Sequence, residues 1–148
     1  MRRLGYRLGW ALLRVYWFVR RPREQGVRCA LWRDGDLLLV RHSYGERGWL
    51  LPGGRLKRGE APSEGARREV RQEVGADLRD WDELGSIFTT RMHKRDTTFF
   101  VRARLGEAEL RLDAPEFAEV RWWTPGDLPA GASPELVDAQ RRGFLAPP

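Results

Sequence analysis

Residues 53–76, GGRLKRGEAPSEGARREVRQEVGA, constrain this chain more than any other stretch. Paired glycines make a turn, Pro62 suits a first helical turn, and Gly75 suits the left-handed position past a helix end. The spacing predicts a helix from about Pro62 to Val74. It carries Glu69 and Glu73 four residues apart, which puts both carboxylates on one face with Cβ atoms about 6 Å apart. Glu60, in the loop before the helix, can reach the same region. Three carboxylates in one place repel unless a cation neutralises them. Oxygen-only donors suit magnesium or manganese, and no His/Cys set competes for zinc. Arg68 beside Glu69 can hold the cluster through charge-assisted hydrogen bonds. The plain alternative is a solvated helix face of Arg/Glu pairs, and Glu69 with Glu73 alone does not decide between the two.

The wider pattern does. Gly54, Glu60, Arg68, Glu69, Val70, Glu73, Gly75 and Ala76 fall in one register. That register resembles the Nudix box: Gly, five residues, Glu, seven residues, then Arg-Glu-apolar-any-Glu-Glu-any-Gly-apolar. The approach Trp49-Leu50-Leu51-Pro52-Gly53-Gly54 is also similar to the strand that enters the box in many members. The resemblance implies hydrolysis of a nucleoside diphosphate linked to another moiety, by attack of water on phosphorus, with Mg2+ or Mn2+ as cofactor. It assigns the metal to Glu73, Glu69, Glu60, Gln72 and Gly54. Gln72 departs from the box, standing where the first Glu of the Glu-Glu pair is expected. Its amide can offer a neutral oxygen, which implies weaker affinity or fewer ions rather than loss of the site.

A bound divalent cation reverses the local sign for an incoming polyphosphate and lowers the pKa of an attacking water. Catalysis then rests on positioning and charge. A base remains useful. Glu69 is one candidate, and Glu116, six residues before Trp122 in a stretch resembling the family's late loop, is another; Glu119 lies nearby. Catalytic roles therefore fall to Glu69, Glu116 and the orienting Arg68. Arg55, Lys57 and Arg91 are candidate phosphate contacts, with Arg47 and Arg58 also near the turn, and each has the alternative of an ordinary surface charge. His93 reads as structural, and Trp49, Trp122 and Trp123 read as core.

The rest of the chain supplies a scaffold. Val27 to Trp32 and Leu37 to His42 are β-rich runs around Asp34-Gly35, a hairpin signal. Glu83 to His93 and Thr97 to Leu105 form a second pair turning at Lys94-Arg95-Asp96. Short strands are expected at Glu109 to Leu112 and Glu119 to Thr124. Ser133-Pro134-Glu135 opens a last helix ending near Gly143. Strands interleaved with two helices imply an α/β fold, a Nudix-like α/β/α sandwich with a mixed sheet.

Charge divides the chain at Pro22. Residues 1–28 hold eight arginines against Glu24, a net +7, leaving 19 of the 27 basic and 20 of the 21 acidic groups, a net −1, on the remaining 120. A basic face tracking nucleic acid is thereby disfavoured. Residues 1–22 read as a basic amphipathic helix and residues 23–148 as the hydrolase domain. As a helix, residues 4–19 span roughly 24 Å, short of the ~30 Å hydrocarbon core. Arg3, Arg7, Arg14 and Arg21 form a narrow stripe flanked by Trp10 and Trp17. Four fates suit it: packing on the domain, a homodimer contact, peripheral contact of residues 1–21 with a membrane surface, or an uncleaved anchor or signal. Lone Cys29 excludes a disulfide framework and fits a cytoplasmic setting, including the inner membrane face.

Subgroup markers for ADP-ribose, diadenosine polyphosphate, NADH and coenzyme A substrates are absent: positions 90–92 read Thr-Arg-Met, and no tyrosine follows Tyr44. A nucleoside triphosphate or a nucleotide-sugar or nucleotide-alcohol diphosphate is the expected substrate. Two alternatives stand beside it. One is a catalytically weak nucleotide-binding or regulatory domain, motivated by Gln72; the other is a membrane-surface hydrolase of a lipid-linked diphosphate.

Overall fold

A computed structural model describes residues 23–45, 47–91, 94–112 and 115–148, without the side chains of Arg91 and Lys94. The expected N-terminal helix over residues 1–22, with its membrane and dimer options, lies outside the described residues, as does His93. Strands β1 (Arg23–Arg33), β2 (Asp36–His42), β3 (Gly53–Arg55), β4 (Asp82–Arg91), β5 (Lys94–Arg104) and β6 (Phe117–Trp123) make one sheet. Helices α1 (Pro62–Glu73) and α2 (Pro134–Arg141) accompany it. Strand order is β4-β5-β1-β2-β6, with β3 paired to β1 off that path. β1 runs parallel to β5, and the other pairings are antiparallel, so the sheet is mixed.

The two-residue alternation of a strand sorts β1 between two cores. Val27, Cys29 and Leu31 join Ala66, Val70 and Val74 of α1 on one face. Ala30 and Trp32 join Leu136 and Ala139 of α2 on the other. The result is the expected α/β/α sandwich. Asp34 (φ 51°) and Gly35 (φ 85°) form the tight turn that joins β1 to β2. Lacking a side-chain cap at Ala61, α1 uses Glu64, whose Oε2 accepts the Ala61 N–H at 3.1 Å. Ser133 caps α2 by accepting the Leu136 N–H at 3.1 Å. Val70 is fully buried against β1. Val70→Ala should cost about 2 kcal/mol in urea unfolding without altering the sheet, because only the α1 contact is thinned.

Two local expectations need correction. Lys94-Arg95-Asp96 is not the turn: these residues pair with Arg91, Thr90 and Thr89 in the β4–β5 ladder. Asp96 extends the parallel ladder with Glu24, which offsets the poor strand propensity of a charged run. Glu109 to Leu112 is not a strand either. The Arg111 N–H instead donates to the Val74 carbonyl at 2.8 Å, closing the segment over the end of α1.

Candidate active site

β3 and α1 meet at Gly53-Gly54, and the two glycines are there for different reasons. Gly53 has φ +145°, and a Cβ on it would lie 2.1 Å from the Val27 carbonyl oxygen, its neighbour in β1. At Gly54 a Cβ would lie 2.6 Å from Cδ and 2.7 Å from each carboxylate oxygen of Glu69. The backbone thus comes close enough to α1 for its acids to touch it. Glu73 reaches Gly53, whose N–H donates to Oε2 at 3.1 Å. Glu69 and Glu73 are therefore brought together beside the turn, as one helical face requires.

Glu73 is buried at 8% exposure. Burial pushes its carboxyl up to about 7; the Gly53 N–H opposes this, the negative charge of Glu69 adds to it, Arg28 opposes and Glu116 adds again. Cys29 is wholly buried, and that desolvation first, then the charge of Glu73, raises its thiol.

Glu60 behaves differently. Arg68 grips it with Nε to Oε1 at 2.7 Å and Nη2 to Oε2 at 2.7 Å, and the Lys57 N–H donates to Oε2 at 2.8 Å. These bonds, the Arg68 pair first, hold its carboxyl down at about 2. Arg68 also donates from Nη1 to Glu69 Oε1 and from Nη2 to the Arg55 carbonyl at 3.0 Å. Among the described residues no three His, Cys, Asp or Glu side chains gather closely enough to hold a metal ion. Arg68 instead bridges Glu60 and Glu69, bonding both carboxylates from one guanidinium. Arg68→Lys keeps the charge but loses the fork, so turnover should fall roughly tenfold while the fold survives; steady-state kinetics with a circular-dichroism control checks this.

The other expected residues scatter. Gln72 is exposed and lines an open cavity of about 610 Å³ with Glu60, Glu64, Arg67, Arg68 and Arg71. Glu116 is exposed, yet its charge is felt by both Glu73 and His42, which places it at the site's rim. Glu119 pairs with Arg41 on the sheet instead. Arg55 is largely exposed and pairs with Glu24 at 3.1 Å; Lys57, Arg47 and Arg58 are exposed. Arg91 ends β4, its side chain outside the description. Trp49 and Trp123 are buried and Trp122 half-buried.

Three residues were missed. Arg28 on β1 donates from Nε to Glu135 Oε1 of α2 at 2.5 Å and lies 3.5 Å, through Nη1, from the Gly53 carbonyl oxygen. His42, at the end of β2, has its ionisation lowered by burial first and by Arg28 second, against a hydrogen bond with the Glu116 backbone. The available signal was an arginine interrupting the apolar run Val27–Trp32.

The donor set fits a hard divalent cation: two carboxylates brought together beside the glycine turn, one of them buried. Mg2+ retains several waters and needs only one or two protein carboxylates with substrate phosphates, which this pair can supply.

The comparisons with known proteins agree with this geometry. The NUDIX domain matches residues 22–146. An RNA pyrophosphohydrolase of Yersinia pestis (strain Pestoides F) is 30% identical over 128 residues, covering 71% of each chain. A Bacillus subtilis (strain 168) protein provisionally named 8-oxo-dGTP diphosphatase is 33% identical over 81 residues, 55% of this chain. The chain spans only about half of that relative, 53% of its length. The fold matches a MutT NUDIX hydrolase from Burkholderia pseudomallei with a TM-score of 0.72 at 22% identity, covering 81% of this chain and 97% of that one. The domain match spans most of the chain, and the chain belongs to the NUDIX domain family.

Proposed function

We propose that residues 23–148 form a divalent-metal-dependent pyrophosphohydrolase. It would cleave a phosphoanhydride bond in a nucleoside diphosphate linked to another group: a nucleoside triphosphate, or a nucleotide-sugar or nucleotide-alcohol diphosphate. The carrying observation is the buried Glu73 carboxylate beside Glu69 at the glycine turn, an arrangement that burial and like charge disfavour without a cation. The names of the relatives, a pyrophosphohydrolase and a diphosphatase, support the same reaction class.

Glu69, Glu73 and Glu60 would hold Mg2+ or Mn2+, with Gln72 and the Gly54 carbonyl as neutral donors. When bound, the ion supplies charge for the diphosphate and acidity for the attacking water. The chain's own residues do the rest. Arg68 fixes the Glu69 carboxylate. Gly53 fixes Glu73. Glu116, exposed at the rim, stands ready to take a proton from water.

The test is release of phosphate or pyrophosphate from a nucleotide panel, with and without Mg2+ and Mn2+. Metal-dependent release supports the proposal. No turnover across the panel, with metal-independent nucleotide binding, would favour a binding module, the reading that Gln72 motivates. Among the described residues no helix is long and apolar enough to cross a membrane.

A further inference from the structure

Arg28 is unused by the chemistry above, and its position is unusual. It stands in the α2-facing row of β1, where Ala30 and Trp32 are core residues. A charge in such a row is costly to desolvate unless it is paired, and removing one partner strands the other. Here the partner is Glu135 at 2.5 Å, with side chains 21% and 28% exposed. The Thr98 hydroxyl donates to the second Glu135 oxygen at 3.5 Å. The pair joins a strand residue to the first turn of a helix 107 positions away.

What it touches next gives it meaning. Arg28 and Gly53 are register partners between β1 and β3. Gly53 sits between two peptide units that are held from different directions. In the preceding unit, the Pro52 carbonyl accepts the Cys29 N–H at 2.8 Å and the Gly53 N–H donates to Glu73 at 3.1 Å. In the following unit, the Gly53 carbonyl faces Arg28 Nη1 at 3.5 Å, a long contact at the outer limit of hydrogen bonding. A glycine at φ +145° has no side chain to settle its orientation.

We infer that Arg28 is a positioning residue: anchored by Glu135 on α2, it fixes the Gly53 backbone that holds Glu73 on α1, and so ties the two helices together through the sheet. The inference rests on the reading of Glu73 as a metal-holding acid only for its effect on metal affinity. The link itself is independent of that reading.

The experiment uses the full chain, 15N-labelled and free of metal, followed by Mg2+ titration. In Arg28→Gln and in Glu135→Gln the Gly53 amide proton should shift, and its exchange should speed up by about tenfold or more, since local opening becomes easier. Arg28→Gln should weaken Mg2+ binding roughly tenfold, as loss of outer support does. Arg28→Lys, which keeps the charge, should recover part of both effects and guards against a glutamine variant that folds poorly. Lower melting temperatures with Gly53 exchange and Mg2+ affinity at wild-type values would overturn the inference, leaving the pair as a clasp for α2 alone. A wild type that binds no Mg2+ but whose Gly53 amide still responds to both variants would support the link and remove the metal reading.

Discussion

Glu73→Gln is expected to lower turnover by roughly three orders of magnitude, about 4 kcal/mol of transition-state stabilisation, while leaving the protein folded. The two consequences separate because the site asks Glu73 to do something that folding opposes. Its carboxyl is pushed up to about 7, chiefly by burial. An acid whose folded value lies above its ordinary 4.5 contributes stability that is fully present below 4.5 and lost as pH rises through about 7. The loss is on the order of 3 kcal/mol. Glutamine does not titrate, and its amide oxygen can still accept the Gly53 N–H. Metal-free Glu73→Gln should therefore match wild type in urea unfolding at pH 4 and exceed it at pH 8. Mg2+ should reverse the order at pH 8, stabilising wild type by mass action but not the variant. Equal stability at both pH values would mean that Glu73 is not held as described.

The second large effect is structural. Gly53→Ala places a methyl 2.1 Å from the Val27 carbonyl oxygen and imposes φ +145° on an L side chain. Neither atom is the end of a flexible group, so β3 must leave β1. A loss of more than about 4 kcal/mol is expected, enough to leave the chain largely unfolded at 37 °C. Gly54→Ala provides the contrast. Its methyl meets only the Glu69 carboxylate, at 2.6–2.7 Å, and a side-chain terminus can swing away. That variant should fold, with a melting temperature near wild type, and lose most of its activity because Glu69 is displaced. Adjacent glycines would then both lose product release but separate in thermal unfolding.

Local features were legible in the sequence and distant ones were not. Glu69, Glu73 and Arg68 lie within one helical segment, where the 3.6-residue period alone decides which side chains share a face. Glu60 needed more. The loop lets it meet either Glu73 or Arg68, and only the folded backbone, with the Lys57 N–H already aimed at it, shows that Arg68 takes it. The parallel pairing of β1 with β5 carries no short-range signal, so Lys94 to Asp96 read as a turn although they begin a strand. Arg28 and Glu135 are separated by 107 positions, and an isolated arginine in an apolar run points equally to a sheet edge. Glu116 came from the family resemblance alone, since a loop acid outside the helix carries no periodic signal.

The central claim is that Glu69 and Glu73 share a divalent ion which a diphosphate then also binds. Titration of Mn2+ followed by electron paramagnetic resonance, with and without α,β-methylene-ADP, measures it directly. Bound Mn2+ should be found in wild type, tightened by the diphosphate and strongly weakened in both Glu69→Gln and Glu73→Gln. Binding that is unchanged in those two variants, or indifferent to the diphosphate, would contradict the account.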